Sequence, residues 1–264
     1  MELHPAAHDV MQLLESASGY PVRVTVLPAL DVEVRVQMAR GAAPVHHVMI
    51  HPRPTTAPDY RVCRECGRIL RLFSLPPEQQ VEVAPLAAGR EAVVRMLRAP
   101  NGVAYRYRLD EAQTGSLAER LYGGLMLQLR TTAVGLRVDD WLADRFPDLE
   151  PLQRLTARRD LAENLALLEP EARAMAPAPA LVASLAMAAA EADHWARAWG
   201  EPELLAPYRA PGSFRDGRAL MRVWREIPAD PAHDRDLVDA WARMVGLEGW
   251  YAWRAYQPPQ RPAP

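Results

Sequence analysis

The chain has 264 residues, 49% of them hydrophobic and 24% charged, the balance of an ordinary globular protein long enough to bury a substantial core. Its formal net charge of −2 offers no global basic field for nucleic acid, and its longest apolar run, APALVASLAMAAAEA, is interrupted by Ser184 and flanked by proline. Two cysteines three residues apart cannot staple a secreted fold, and no basic segment followed by an apolar one opens the chain, so a cytoplasmic protein with neither nucleic-acid nor membrane partners is expected.

A first helix is predicted over His8–Ser18, where Val10, Leu13 and Leu14 share a face. PVRVTVLPA and DVEVRVQM alternate apolar and polar residues with strong β-branched content and are predicted strands; PVHHVMIHP is a third, bounded by prolines. The turn RPTTAPD follows, with Asp59 available to cap a helix over the stretch PDYRVCRECGRILRLF. Beyond Pro76-Pro77 the reading is helical throughout. PLAAGREAVVRMLRAP is one helix, SLAERLYGGLMLQLRTTAVG another with Ser116 as its cap, and LRVDDWLADRFPD a separate short one. LEPLQRLTARRDLAENLALL, PALVASLAMAAAEADHWARAWG ending at Gly200, SFRDGRALMRVWREIP and AHDRDLVDAWARMVGL complete the series. The fold class expected is α+β: an α-β-β-β-α region over residues 1–100, a helical region over 101–256, and a disordered tail, QPPQRPAP, over 257–264.

All 31 basic side chains are arginine; lysine is absent. A GC-rich genome favours arginine, but a lysine-free chain also offers only its N-terminal amine to any system that conjugates ubiquitin-like modifiers. A link to such a conjugation or proteolysis system is one expectation.

The chemistry concentrates in RVCRECGRIL, which admits three readings. Cys63-x-x-Cys66-Gly is half of a tetrahedral zinc knuckle, and His46, His47 and His51 are the residues that could complete it; on a strand His47 and His51 share one face and His46 takes the other. The same pair could be a redox couple if a helix N-terminus lowered a thiol's pKa. In the third reading, Val62, Cys66, Ile69, Leu70 and Phe73 form a helix's buried face, and Arg61, Arg64, Arg68 and Arg71 a basic stripe opposite. Arg64 and Arg68 then project one turn apart, the spacing at which His-Glu-x-x-His presents two imidazoles to zinc, with Glu65 where the general base would stand.

RECGR, preceded by a helix and three strands, resembles the active-site helix of the ImmA/IrrE-like (M78) zincin metallopeptidase family, over about residues 1–132. The resemblance implies a third, acidic ligand on the next long helix, and Glu119 in LAERLYGGLMLQL stands at a similar position beside Gly123 and Gly124. Both histidines are arginine here, and guanidinium neither coordinates a cation nor deprotonates. A catalytically inactive relative is therefore expected, with no cofactor, an unidentified protein partner, and Arg64 and Arg68 free to clamp an anion such as an acidic peptide. Two alternatives stand beside it: a metallopeptidase with His47, His51 and Glu119 as ligands, or a zinc-binding adaptor through Cys63, Cys66, His47 and His51.

Elsewhere, Asp139-Asp140 is expected to cap the turn before Trp141, and Asp230, His233, Asp234 and Asp236 to match the dipole of a helix start. Asp193 and His194 fall near a helix C-terminus. The tryptophans Trp195, Trp199, Trp224, Trp241, Trp250 and Trp253 are expected to form the core of the helical half, with GWYAWRAY a candidate aromatic patch.

Overall fold

The computed structural model describes residues 3–52, 58–209 and 212–259. The α+β class is observed: a small sheet near the N-terminus and a mainly helical remainder. In chain order the elements are α1 (Pro5–Ser18), β1 (Val22–Val26), β2 (Val34–Gln37), β3 (His46–Ile50), α2 (Pro58–Phe73), β4 (Val81–Pro85), α3 (Ala87–Arg98), α4 (Val103–Arg106) and α5 (Glu111–Arg145). Then come α6 (Glu150–Leu165), α7 (Pro170–Met175), α8 (Ala178–Trp199), α9 (Ala206–Arg209), α10 (Ser213–Glu226), α11 (Asp234–Met244) and β5 (Tyr251–Ala255). No helix among the described residues is long and apolar enough to cross a membrane. The RPTTA part of the predicted turn, and all of the tail after Pro259, lie outside the described residues; Pro259 itself is buried.

Contacts divide the chain into two compact units that do not follow the linear split at residue 100. One comprises the chain up to Glu82, Arg137–Thr156 and the segment from Arg254 onward; the other comprises Val83–Leu136 and Ala157–Trp253. The helix α5 contributes residues to both.

In the first unit a three-stranded sheet has the order β1-β3-β2, with β1 parallel and β2 antiparallel to β3. Alternation along β3 turns His46, Val48 and Ile50 inward and leaves His47 and Met49 half-buried on the other face. The inward face packs on α1 through Val10, Met11 and Leu14 and on α2 through Tyr60, Val62, Cys63 and Cys66, and Val138 and Leu142 of α5 join the same core. The start of α1 uses Pro5 at its first turn with His4 Nδ1 accepting from the Ala6 N–H, and Gly19 at φ 74° ends it. Asp59, the expected cap of α2, instead accepts the His4 N–H at 2.6 Å and so joins the starts of α1 and α2.

Three sequence expectations need correction. The two helices predicted over Ser116–Asp148 are one, α5, of 35 residues, and Ser116 lies inside it. Its start is a reciprocal capping box: the Gln113 N–H donates to Asp110 Oδ1 while the Asp110 N–H donates to Gln113 Oε1. Gly135, the last residue of the first predicted stretch, is buried mid-helix, where packing outweighs glycine's cost of about 1 kcal/mol. Residues Val81–Pro85 and Tyr251–Ala255, unassigned or read as a patch, are strands that pair with each other in a second sheet.

The second unit is built on α8, whose alanines let α10 approach closely: a Cβ on Gly217 would lie 2.6 Å from the Ala189 Cβ. Trp241 is fully buried and Trp195 and Trp250 nearly so, as expected for a tryptophan-rich core. Trp253 and Tyr251 both donate to Asp239 Oδ1, at 2.8 and 2.6 Å, so this pair is pinned rather than free. Gly200 ends α8 at φ 67°, as predicted.

Gly67 occupies a comparable close approach in the first unit. A Cβ there would stand 2.7 Å from Val138 Cγ1 and 3.3 Å from the Trp141 ring. The glycine after the second cysteine thus serves helix packing between α2 and α5, not a knuckle turn. Gly67→Ala should forfeit the roughly 1 kcal/mol that alanine ordinarily gains over glycine in a helix. Gly67→Leu should lower Tm by several degrees through overpacking, measured by thermal unfolding.

Candidate functional site

The face of α2 that carries Arg64 and Arg68 is covered. Their side chains are 13% and 14% exposed, so this pair is neither open to solvent nor free to receive a ligand. Arg61, Arg64 and Arg68 each pair with a carboxylate. Arg64 Nε donates to Asp139 Oδ1 at 2.8 Å, Arg68 Nη1 meets both oxygens of Glu65 at 3.0 Å, and Arg61 Nε donates to Glu33 Oε2 at 2.7 Å.

Asp139 is the centre of this arrangement. Its side chain has no exposure, and α5 carries it to the middle of α2. The Tyr60 hydroxyl donates to the same Oδ1 at 2.6 Å, and Gln153 Nε2 of α6 donates at 2.9 Å both to the Tyr60 oxygen and to the Asp139 carbonyl. Burial pushes the Asp139 carboxyl above its ordinary range, while the Arg64 guanidinium and the Tyr60 hydroxyl pull it back. Burial, and then the charge on Asp139, push the Tyr60 phenol well up, which keeps it a donor. The sequence reading made Asp139 a turn cap; it is a mid-helix acid with a cationic partner. The one available signal was an acid set among Leu136, Val138 and Leu142, which packing must bury.

Glu119, which the resemblance put forward as an acidic ligand, belongs to the other unit, is 65% exposed and pairs with Arg90 at 2.9 Å. A divalent cation does not suit the residues around Arg64: guanidinium cannot coordinate it, and Glu33, Asp139 and Glu65 are each already paired with an arginine. Among the described residues, no group of three or more His, Cys, Asp and Glu side chains is arranged to hold a metal ion.

The cysteine readings meet the same fate. Cys63 and Cys66 sit within a regular helix, both free and fully buried. Burial, then the charge of Asp59, push the Cys63 thiol up to about 12; burial, then Cys63 and Glu65, raise Cys66 as well. A redox thiol needs the opposite shift.

Of the three histidines, His46 is fully buried and structural. Its Nδ1 accepts the Ala39 N–H at 3.1 Å, which puts the proton on Nε2, 3.0 Å from Ser18 Oγ. Tyr20 and Phe73 meet its ring edge-on, and Tyr256 meets Phe73 in turn. His47 stands half-buried on the opposite face, and His51 follows the strand with its N–H donated to the Glu33 carbonyl.

The remaining candidates are structural. Asp230 caps the turn before α11 by accepting the Ala232 N–H, and His233 pairs with Asp236 at 3.2 Å on the surface. Asp193 is buried beneath Arg197, 2.8 Å away, and the His194 ring packs edge-on against Trp195 and Trp224.

Two outcomes follow. Arg64→Ala strands the buried Asp139 and should cost about 3–5 kcal/mol in denaturant unfolding, with Arg64→Ala/Asp139→Ala costing less than the two single changes summed. Burial holds the His46 pKa down at about 4, against an ordinary 6.5, despite the opposing charge of Glu15. The unfolded chain therefore binds the extra proton first: stability should fall as pH drops from about 6.5 to 4, by a few kcal/mol at most, and His46→Gln should flatten that slope in a Tm series.

Compared with protein-family models, with curated proteins and with solved structures, the chain finds no match in any of the three.

Proposed function

We propose that the first unit is a zincin-like scaffold that has lost its metal and its catalysis and acts in protein interaction or regulation. The observation that carries this reading is the ion pair between Arg64 and the buried Asp139. At the position of the first metal ligand, a fixed organic cation stands against an acid on a neighbouring helix, where a zincin would set a histidine and an acid around zinc. The order α1-β1-β2-β3-α2 supports the reading, as does Glu65, the acid in general-base position, being engaged by Arg68. The acid proposed as the remnant of the third ligand is Asp139 rather than Glu119. Hydrolysis of a peptide needs a polarising cation and an activated water; arginine can supply the charge but no open coordination position for the water. The absence of lysine makes a ubiquitin-like conjugation or proteolysis system the pathway class for which this role is proposed.

The test restores the ligands. Arg64→His/Arg68→His, checked for folding by circular dichroism and Tm, should bind one equivalent of zinc by titration and metal analysis, and lose it on further change of Asp139 to Ala. Wild-type protein given zinc should neither bind it nor cleave a peptide library. A folded double variant without zinc affinity removes the zincin reading, and chelator-sensitive cleavage by the wild type removes the inactivity.

A further inference from the structure

The β1 strand is one edge of the three-stranded sheet, and the register of its backbone says what fits it. The His46 N–H donates to the Pro21 carbonyl and the Leu27 N–H to the Ile50 carbonyl, at 2.9 and 2.8 Å. Residues at odd positions of this strand therefore face β3, and Val22, Val24 and Val26 turn their N–H and C=O groups away from the sheet. One of these groups is capped: the Val22 N–H donates to Glu15 Oε1 at 2.6 Å. The sheet leaves the backbone of Val24 and Val26, and the carbonyl of Val22, facing outward.

The side chains point to the same conclusion. Val24 and Val26 lie beside Val48 and Ile50, both fully buried, on the face covered by α1 and α2. Yet Val24 is 39% and Val26 44% exposed, so the apolar face of the sheet runs out into solvent at this strand. Natural edges are usually blunted by charged side chains, proline or a bulge. VRVTV has no proline, and its one charge, Arg23, lies on the face opposite the valines; Pro21 and Pro28 fall outside the strand.

We propose that the occupant of this edge is β1 of a second copy, paired antiparallel about a two-fold axis through Val24. The sequence is self-complementary in that register. Val24 meets Val24 and exchanges two hydrogen bonds with it, and Val22 meets Val26, so the inner faces join into one valine ladder. On the outer face Arg23 meets Thr25, and the two arginines stay apart. With Val22 N–H held by Glu15, the Val26 N–H still reaches the partner's Val22 carbonyl on both sides of the axis. Three strands become a continuous six-stranded sheet, and the edge disappears. Nothing in this inference depends on the zincin reading.

Sedimentation of the full chain over a concentration series should show a reversible shift from one to two copies of the 29.4 kDa chain. Val24→Lys places a charge at an exposed edge position and should leave a monomer with unchanged circular dichroism and Tm. Val24→Cys should be joined to its mate by a short bis-maleimide, because directly opposite Cα atoms lie about 5.5 Å apart in such a pair. Arg215→Cys, whose position is 93% exposed on the other unit, should not cross-link. A wild type that remains monomeric to its solubility limit overturns the proposal, as does a Val24→Lys protein that still dimerises. A monomer that instead takes up an extended peptide at this edge also overturns it, in favour of other chains as occupants.

Discussion

A carboxylate without access to water must either be neutralised by a cation or keep its proton, and that requirement organises the first unit around Asp139. The side chain is delivered by α5, which contributes Val138 and Leu142 to the same core. Burying those two residues brings the neighbouring acid in with them. The chain answers with Arg64 from α2, a phenol from Tyr60 one turn earlier and an amide from α6. Three helices thereby share one polar centre, and parting α2 from α5 would leave a buried charge unpaired. Such a centre adds little net stability against an apolar one of equal volume, but it is specific: only one register of α2 against α5 satisfies it.

The same centre explains why the basic stripe on α2 carries no open site. Counted along the helix, Arg61, Arg64 and Arg68 look like a cationic surface. In three dimensions Glu33, Asp139 and Glu65 each neutralise one of them. Two of those acids come from distant parts of the chain, and helix periodicity within one segment says nothing about what a neighbouring element brings. An anion clamp read from spacing alone becomes, on folding, a set of internal ion pairs.

Legibility in the sequence followed the range of the interaction. The three early strands and the limits of α2 were readable because alternation and amphipathic spacing are local signals, and Gly200 was readable because only a left-handed residue ends that helix comfortably. The unbroken α5 was not, since Gly135 and Ser116 are local punctuation that long-range packing overrode. The pairing of β4 with β5 was hidden for a related reason: two short segments far apart in sequence, each ambiguous alone, acquire strand structure only from each other. Arg64, Glu65 and Arg68 drew attention through their spacing along one helix, whereas Asp139, read beside Asp140 as a turn cap, was not connected with the apolar Leu136, Val138 and Leu142 that carry it inward.

The two thiols of α2 have a use that their inertness creates. Both sulfurs are fully enclosed and held protonated, so a reagent that alkylates thiolates meets them only after the helix parts from the sheet. The rate at which they react under native conditions is therefore a direct reading of how often this layer opens. With no other cysteine in the chain, that reading is free of background.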